Sequence, residues 1–260
     1  IFNISEVFEV SKEKGLWMTI VAVGLLGSIY AIFGGLKAVA VSDTINGYGL
    51  LIGGLAIPLI ALVSIGDGNP LSGLMKVYEH APEKFNVIGA KDSVLPFEVL
   101  FTGLIINQLY FWSMNQTIIQ RALGAKNLVE GQKGLLYTGV LKILVPIIII
   151  LPGVIAFYYY GESFFDNQDM IYPELIKKLL PVGLVGIFAA IVMGAVLSTF
   201  NSVLNSAATI FSIDIYKRHF GKNSSDSKLV KVGKITSTIL AVFAIMVAPM
   251  VANAPDGLYQ

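Results

Sequence analysis

Residues 181–213 read PVGLVGIFAAIVMGAVLSTFNSVLNSAATIFSI, a run with no charged side chain. A helix crosses the hydrocarbon core of a bilayer with about 20 apolar residues. This run therefore reads as a membrane span. It is too long for one perpendicular crossing, so it must tilt, break or project into water. Five more stretches of similar character lie on either side of it, at 17–36, 41–65, 98–117, 134–158 and 232–252. Backbone groups cannot go unpaired in hydrocarbon, so at these lengths the spans must be helices. Composition agrees: 55% of residues are hydrophobic and 13% charged, against about 25% charged in soluble domains. The expected fold is an all-α membrane protein with about six transmembrane helices in one domain over 1–260. Ile1 follows no initiator Met or basic leader, and Gln260 carries no evident finish, so the chain is expected to be the central part of a longer one.

Local sequence predicts where the spans bend. Gly34-Gly35 closes the first and makes a tight connection to the second, and Pro146 and Pro152 bend the fourth. One set of connections carries Lys37, then Arg121, Lys126 and Lys133, then the run Lys217 to Lys234. The opposite set is acidic, with Glu6, Asp67, Asp92, Glu162, Asp166 and Asp169 among its residues. Basic loops stay on the cytoplasmic side, so a multi-pass protein of the cell membrane is expected, with both ends of the chain outside. Simple solvation of basic loops is compatible with the same assignment.

The formal net charge of +1 gives no indication of a nucleic-acid partner. Cysteine is absent, and His80 and His219 are the only histidines, which excludes Cys-ligated metals and gives no His-rich metal cluster. A membrane enzyme would need an intramembrane His, Cys or paired-acid site, and none is present. An ion channel or proton-translocating subunit is the alternative of another class. Proton routes usually need several buried ionisable groups, whereas Lys142 is nearly alone in the spans.

Polar groups at bilayer depth cost about 2.5–3.5 kcal/mol each on insertion scales, so each needs a reason. At about 100° per residue, Ser198, Ser202, Asn205, Thr209 and Ser212 form one narrow stripe, flanked by Asn201 and Thr199. Such neutral oxygens are hard ligands suited to a small alkali cation. They are also what closely packed membrane helices use to hydrogen-bond each other, the commoner explanation on pattern alone. Lys142, in LLYTGVLKILVPIIIILPG (135–153), lies about two turns into its span, where it either snorkels to the interface or meets a ligand or an acid. Asp43, between Ser42 and Thr44, is either a helix N-terminal acid or a group that helps a cation leave. The segment INQLYFWSMNQTIIQR (106–121) mixes Tyr110, Phe111 and Trp112 with Asn107, Gln108, Asn115 and Gln116. Rings stack on the C–H faces of a polyhydroxylated ligand while amides meet its hydroxyls; an interfacial aromatic belt is the competing account.

Taken in order, YFWSMNQTIIQRALGAK (110–126), LKILVPIIIILPG (141–153) and AVLSTFNSVLNSAATIFSIDIY (195–216) resemble the sodium/solute symporter family, most closely its sodium/glucose and sodium/galactose cotransporter branch. The resemblance runs from GGLKAVAVSDT (34–44) to KLVKVGK (228–234). It implies a leucine-transporter-type core of two inverted five-helix repeats with binding at the midplane, the six spans being core helices four to nine. It further implies sodium as the coupling ion, held by the Ala195 carbonyl and the hydroxyls of Ser198 and Thr199, with Thr199 replacing the more usual Ser. Asp43 matches the family's acid on the fifth core helix. Asn201 and Ser202 fall where some members bind a second sodium, Asn201 departing from that pattern; with Asp43 they mark a second ion site or an exit path. Phe111 matches the inner-gate aromatic, normally Tyr in sugar transporters; Gln108 replaces an Asn that contacts sugar, and Lys142 matches the contacting lysine. The implied activity is alternating-access symport of a small polar solute, a sugar or polyol first and a small carboxylate such as sialic acid or lactate second. Oligomeric state is left open.

Overall fold

A computed structural model describes residues 9–91, 95–161 and 171–252. The acidic positions Glu6, Asp92, Glu162, Asp166 and Asp169 lie outside these residues. All regular structure among the described residues is helical: α1 (Glu13–Gly35), α2 (Lys37–Ile65), α3 (Pro70–His80), α4 (Gly103–Ser113), α5 (Gln116–Leu123), α6 (Leu128–Lys142), α7 (Val145–Tyr160), α8 (Ile171–Leu179), α9 (Val182–Ile210) and α10 (Asp226–Ala252). Short 3₁₀ turns cover Pro82–Phe85 and Phe97–Phe101, and a π-helical segment, Phe211–Lys217, prolongs α9. Five of these are long and apolar enough to cross a membrane: Glu13–Gly35, Lys37–Ile65, Leu128–Tyr160, Val182–Lys217 and Asp226–Val251. In each, only 11% to 33% of the apolar window is covered by the rest of the chain. The exposed faces, with Leu26, Phe33 and Ile52 on them, therefore require an apolar surrounding.

The stretch at 98–117 is not one continuous span. A 3₁₀ turn precedes α4, and the helix breaks again at Met114 and Asn115. Asn115 leaves helical geometry and its side chain accepts from the Thr117 N–H, capping α5. The joint between α1 and α2 is a single residue. Gly35 has φ 64° and ψ −176°, a region essentially restricted to glycine, and the rod continues as helix on both sides.

The chain divides into two compact units. One covers Tyr48–Ala190; the other combines the described residues up to Gly47 with those from Ile191 on. In the first, Gly54 lets Ile148 of α7 close on α2, and Ile155 and Ala156 of α7 are fully buried, as are Leu175 and Ile176 of α8. The connection after α2 is tied down by Lys76, which donates to the Ile65 carbonyl at 2.9 Å and to Asp67 at 2.8 Å. In the second unit α1, α9 and α10 meet at Ala31, Leu204 and Ala241, with Phe200 and Leu240 packed alongside. Small residues permit that approach, as between membrane helices generally. A Cβ on Gly27 would meet the Phe200 ring at 2.8 Å, and one on Gly24 would meet Ile245 at 2.5 Å.

Candidate ion and solute sites

The polar stripe of α9 turns its hydroxyl hydrogens inward. Thr199 donates to the Ala195 carbonyl at 3.1 Å, Ser202 to Ser198 at 2.7 Å, Thr209 to Asn205 at 2.8 Å and Ser212 to Ala208 at 2.7 Å. A hydroxyl that gives its proton to its own helix still has lone pairs to offer. Hard cations of sodium's size take oxygens at roughly 2.3–2.6 Å. The Ala195 and Thr199 oxygens, 3.1 Å apart, are therefore close enough to bind one ion together. Ala195 and Ser198 are half-buried and Thr199 is exposed. The donor set fits an alkali cation. Among the described residues no group of three His, Asp or Glu is placed to hold a transition metal.

One turn further along, Asn201 is 1% exposed and Ser202 3%. Neither end of the Asn201 amide has a hydrogen-bond partner among the described residues. An unpaired buried amide costs about 1–3 kcal/mol, so this position departs from simple helix packing. Asp43 is half-buried on α2, in the same unit. Its helix is tied to α9 by a residue that the sequence reading passed over: Asn46 donates to the Gly194 carbonyl at 3.1 Å. The signal in the sequence is an amide at bilayer depth three residues beyond Asp43, within the span Lys37–Ile65.

The solute candidates form their own cluster in the other unit. Lys142 Nζ stands 4.4 Å from the centre of the Trp112 ring and 5.9 Å from that of Phe111. The two rings meet edge to face, centroids 5.5 Å apart. Trp112 Nε1 donates to Gln108 Oε1 at 3.1 Å. Gln108, Phe111 and Lys142 are thereby brought together, with Trp112 as the piece that joins them. Gln108, Phe111 and Lys142 are exposed and Trp112 half-buried, leaving ring edge, amide and ammonium available to a ligand. Among the described residues no carboxylate lies within ion-pair distance of Lys142, so ring faces hold it. Within the span Leu128–Tyr160 it is the last residue of α6, at a two-residue joint, Ile143 and Leu144, that keeps right-handed helical dihedrals before α7. Asn115 belongs to the α5 cap, not to this cluster.

The family model for the sodium:solute symporter family matches residues 4–259. The chain is 44% identical over its whole length to an uncharacterized symporter of Escherichia coli, YidK, covering 45% of that protein. It is 36% identical to the sodium/glucose cotransporter of Vibrio parahaemolyticus over 92% of this chain and 48% of that one. It thus spans about half the length of the curated relatives it matches. Among solved structures, a Na⁺-coupled sialic acid symporter in a substrate-bound outward-open state superposes with a TM-score of 0.79 at 24% identity, over 92% of this chain and 52% of that chain. That likeness establishes the architecture as a partial leucine-transporter-type bundle. With a family match across nearly every residue and that architecture beneath it, the chain belongs to the sodium:solute symporter family.

Proposed function

We propose that the protein is a sodium-coupled secondary active symporter of a small polar solute, a sugar or polyol foremost. The observation that carries this reading is the oxygen pair of α9, the Ala195 carbonyl and the hydroxyl of the exposed Thr199, 3.1 Å apart. Sodium, moving down its gradient, binds these oxygens together with the Ser198 hydroxyl. Binding stabilises the state with high solute affinity, and by linkage the solute raises sodium affinity by the same factor. The solute rests on the Phe111 and Trp112 rings, with Gln108 and Lys142 meeting its polar groups. After the helices rock to the other side, sodium leaves past Asp43 and Phe111 swings aside for the solute. The basic connections face the cytoplasm in this scheme.

A second reading, a small carboxylate as solute, draws support from Lys142, an ammonium without a carboxylate partner among the described residues. The test is uptake by the full-length protein in proteoliposomes, sugars against carboxylates, with and without an inward sodium gradient. Concentrative sugar uptake that requires sodium is expected, and Ser198→Ala should weaken the sodium dependence. Solute flux that only equilibrates would identify a channel instead, and unaltered sodium dependence in Ser198→Ala would remove that residue from the ion site.

A further inference from the structure

Asn46 sits one turn beyond Ser42 and Asp43 on α2, within the membrane-capable span Lys37–Ile65. Its Nδ2 donates to the Gly194 carbonyl of α9 at 3.1 Å and lies 3.4 Å from Ser42 Oγ. Gly194 is within the regular helix α9, where the N–H of residue 198 bonds the carbonyl four residues earlier. Asn46 and the Ser198 backbone therefore share one carbonyl oxygen, immediately before the carbonyl of Ala195. The approach depends on glycine. A Cβ at Gly194 would lie 2.5 Å from Asn46 Oδ1 and 2.7 Å from its Cγ.

We propose that Asn46 is a positioning residue for the sodium site. By holding the Gly194 carbonyl, it fixes the α9 turn that carries Ala195, Ser198 and Thr199 against the α2 turn that carries Ser42 and Asp43. This rests on the assignment of the α9 oxygens as that site. Ion ligands must all stand at bond distance at once, and the partners that orient them typically change metal affinity by about 10–100-fold when removed. In this assignment Asn46 acts through the Gly194 carbonyl and is not itself a ligand. It also lines a cleft of about 580 Å³ with Tyr30, Lys37 and Ser42. Truncation to Ala would open this cleft onto the Gly194 carbonyl, where a water can replace the lost donor. Leucine fills the volume of the amide without donating, and so removes the tie without offering that repair.

The test uses the purified full-length protein and needs no solute. Sodium stabilises the folded state by mass action, so the melting temperature is followed as NaCl replaces choline chloride at constant ionic strength. Asn46→Leu and Gly194→Ala break the same contact from opposite sides. Each should raise the half-effective sodium concentration about tenfold, and the double variant should shift it no further than either alone. Asn46→Ala should shift it less than Asn46→Leu. Sodium curves at the wild-type position in folded Asn46→Leu and Gly194→Ala, whatever the melting temperature in choline, would make the tie purely structural and overturn the proposal; if Asn46→Leu does not fold, Gly194→Ala decides alone. Ser198→Ala is run alongside. An unshifted curve in that variant overturns the sodium-site assignment, and this inference with it. A shifted Ser198→Ala curve beside unshifted Asn46→Leu and Gly194→Ala curves overturns only the role of Asn46.

Discussion

Lys142 ends α6 four residues before Pro146, and the break between α6 and α7 falls between them. The relationship is causal. Proline has no N–H for the carbonyl four residues back, and its ring crowds that carbonyl. The oxygen left without its helical donor is that of Lys142. The joint tightens in response, with Ile143 donating to Val140 at 3.2 Å and Leu144 to Leu141 at 3.0 Å, both three residues back. The break thus places Lys142 where a helix ends, with its ammonium over the Trp112 ring.

Pro146→Ala should therefore impair solute binding without unfolding the protein. Alanine supplies the missing N–H and favours a continuous α6–α7 rod, which re-aims Lys142 away from Trp112. Proline in the first turn of α7 is well tolerated, so the melting temperature should stay level or rise. A partly exposed cation–π contact is worth about 0.5–1 kcal/mol, and the half-saturating solute concentration should rise about 3–5-fold. Uptake kinetics and the sodium-dependent melting curve check this together: the solute constant should move and the sodium constant should not.

Trp112 makes two contacts, and substitution separates them. Trp112→Phe keeps a ring face for Lys142 but removes the N–H that holds Gln108. A neutral hydrogen bond contributes about 1 kcal/mol, so solute affinity should fall about fivefold. Trp112→Leu removes both contacts and should fall further. Equal losses in the two variants would mean that the indole N–H has no part in the site.

The spans were legible from sequence wherever apolar length alone decides, as at 41–65, 134–158 and 181–213. What stayed hidden depends on local bonds that a window of hydropathy averages away. Asn115 lies in a stretch whose amides and rings suit a polyol, yet its side chain caps α5, a local bond that competes with the continuing helix. The π-helical turn at Phe211–Lys217 has no compositional mark. The pairing of Asn46 with Gly194 joins residues 148 apart, which one sequence cannot bring together. Trp112 was visible as a ring, but its N–H became informative only when Gln108 was found beneath it. The stripe on α9 was visible as a stripe, while the inward donation of its hydroxyls required coordinates.

Asp67 and Lys76 give the connection after α2 a defined pH response. The hydrogen bond from Lys76, and then its charge, hold the Asp67 carboxyl below its usual range. The same hydrogen bond from the other side holds Lys76 above its ordinary value, against a smaller opposing effect of burial. For Asp67 the folded form binds its proton less readily, so the contribution is present above the ordinary carboxylate range and is lost as pH falls through the depressed value. For Lys76 it is present below the ordinary lysine value and is lost as pH rises through the raised one. The melting-temperature difference between wild type and Asp67→Asn should be constant from about pH 6 to 9 and vanish in strong acid. The pair is solvent-exposed, so the difference should be small and should shrink in about 1 M salt. A difference that grows in acid would refute the link.

Thr199 offers the most direct chemical test of the ion site, because its hydroxyl and its shape can be removed separately. Thr199→Ser keeps the oxygen and its donation to Ala195, and should leave the half-effective sodium concentration within about twofold of wild type, a shift of under 0.5 kcal/mol. Thr199→Val keeps the branched shape and loses only the oxygen. Interactions of a charged group with a polar partner contribute about 1.5–3 kcal/mol, so this variant should need about 10–100-fold more sodium. Its melting temperature in choline should change little, since the exposed hydroxyl bonds only its own helix. If valine and serine behave alike in sodium titrations of the full-length protein, the Thr199 oxygen is a helix-bonding group and no ligand. The ion would then have to be held by oxygens elsewhere on α9, with the orphaned amide of Asn201 the next residue to substitute.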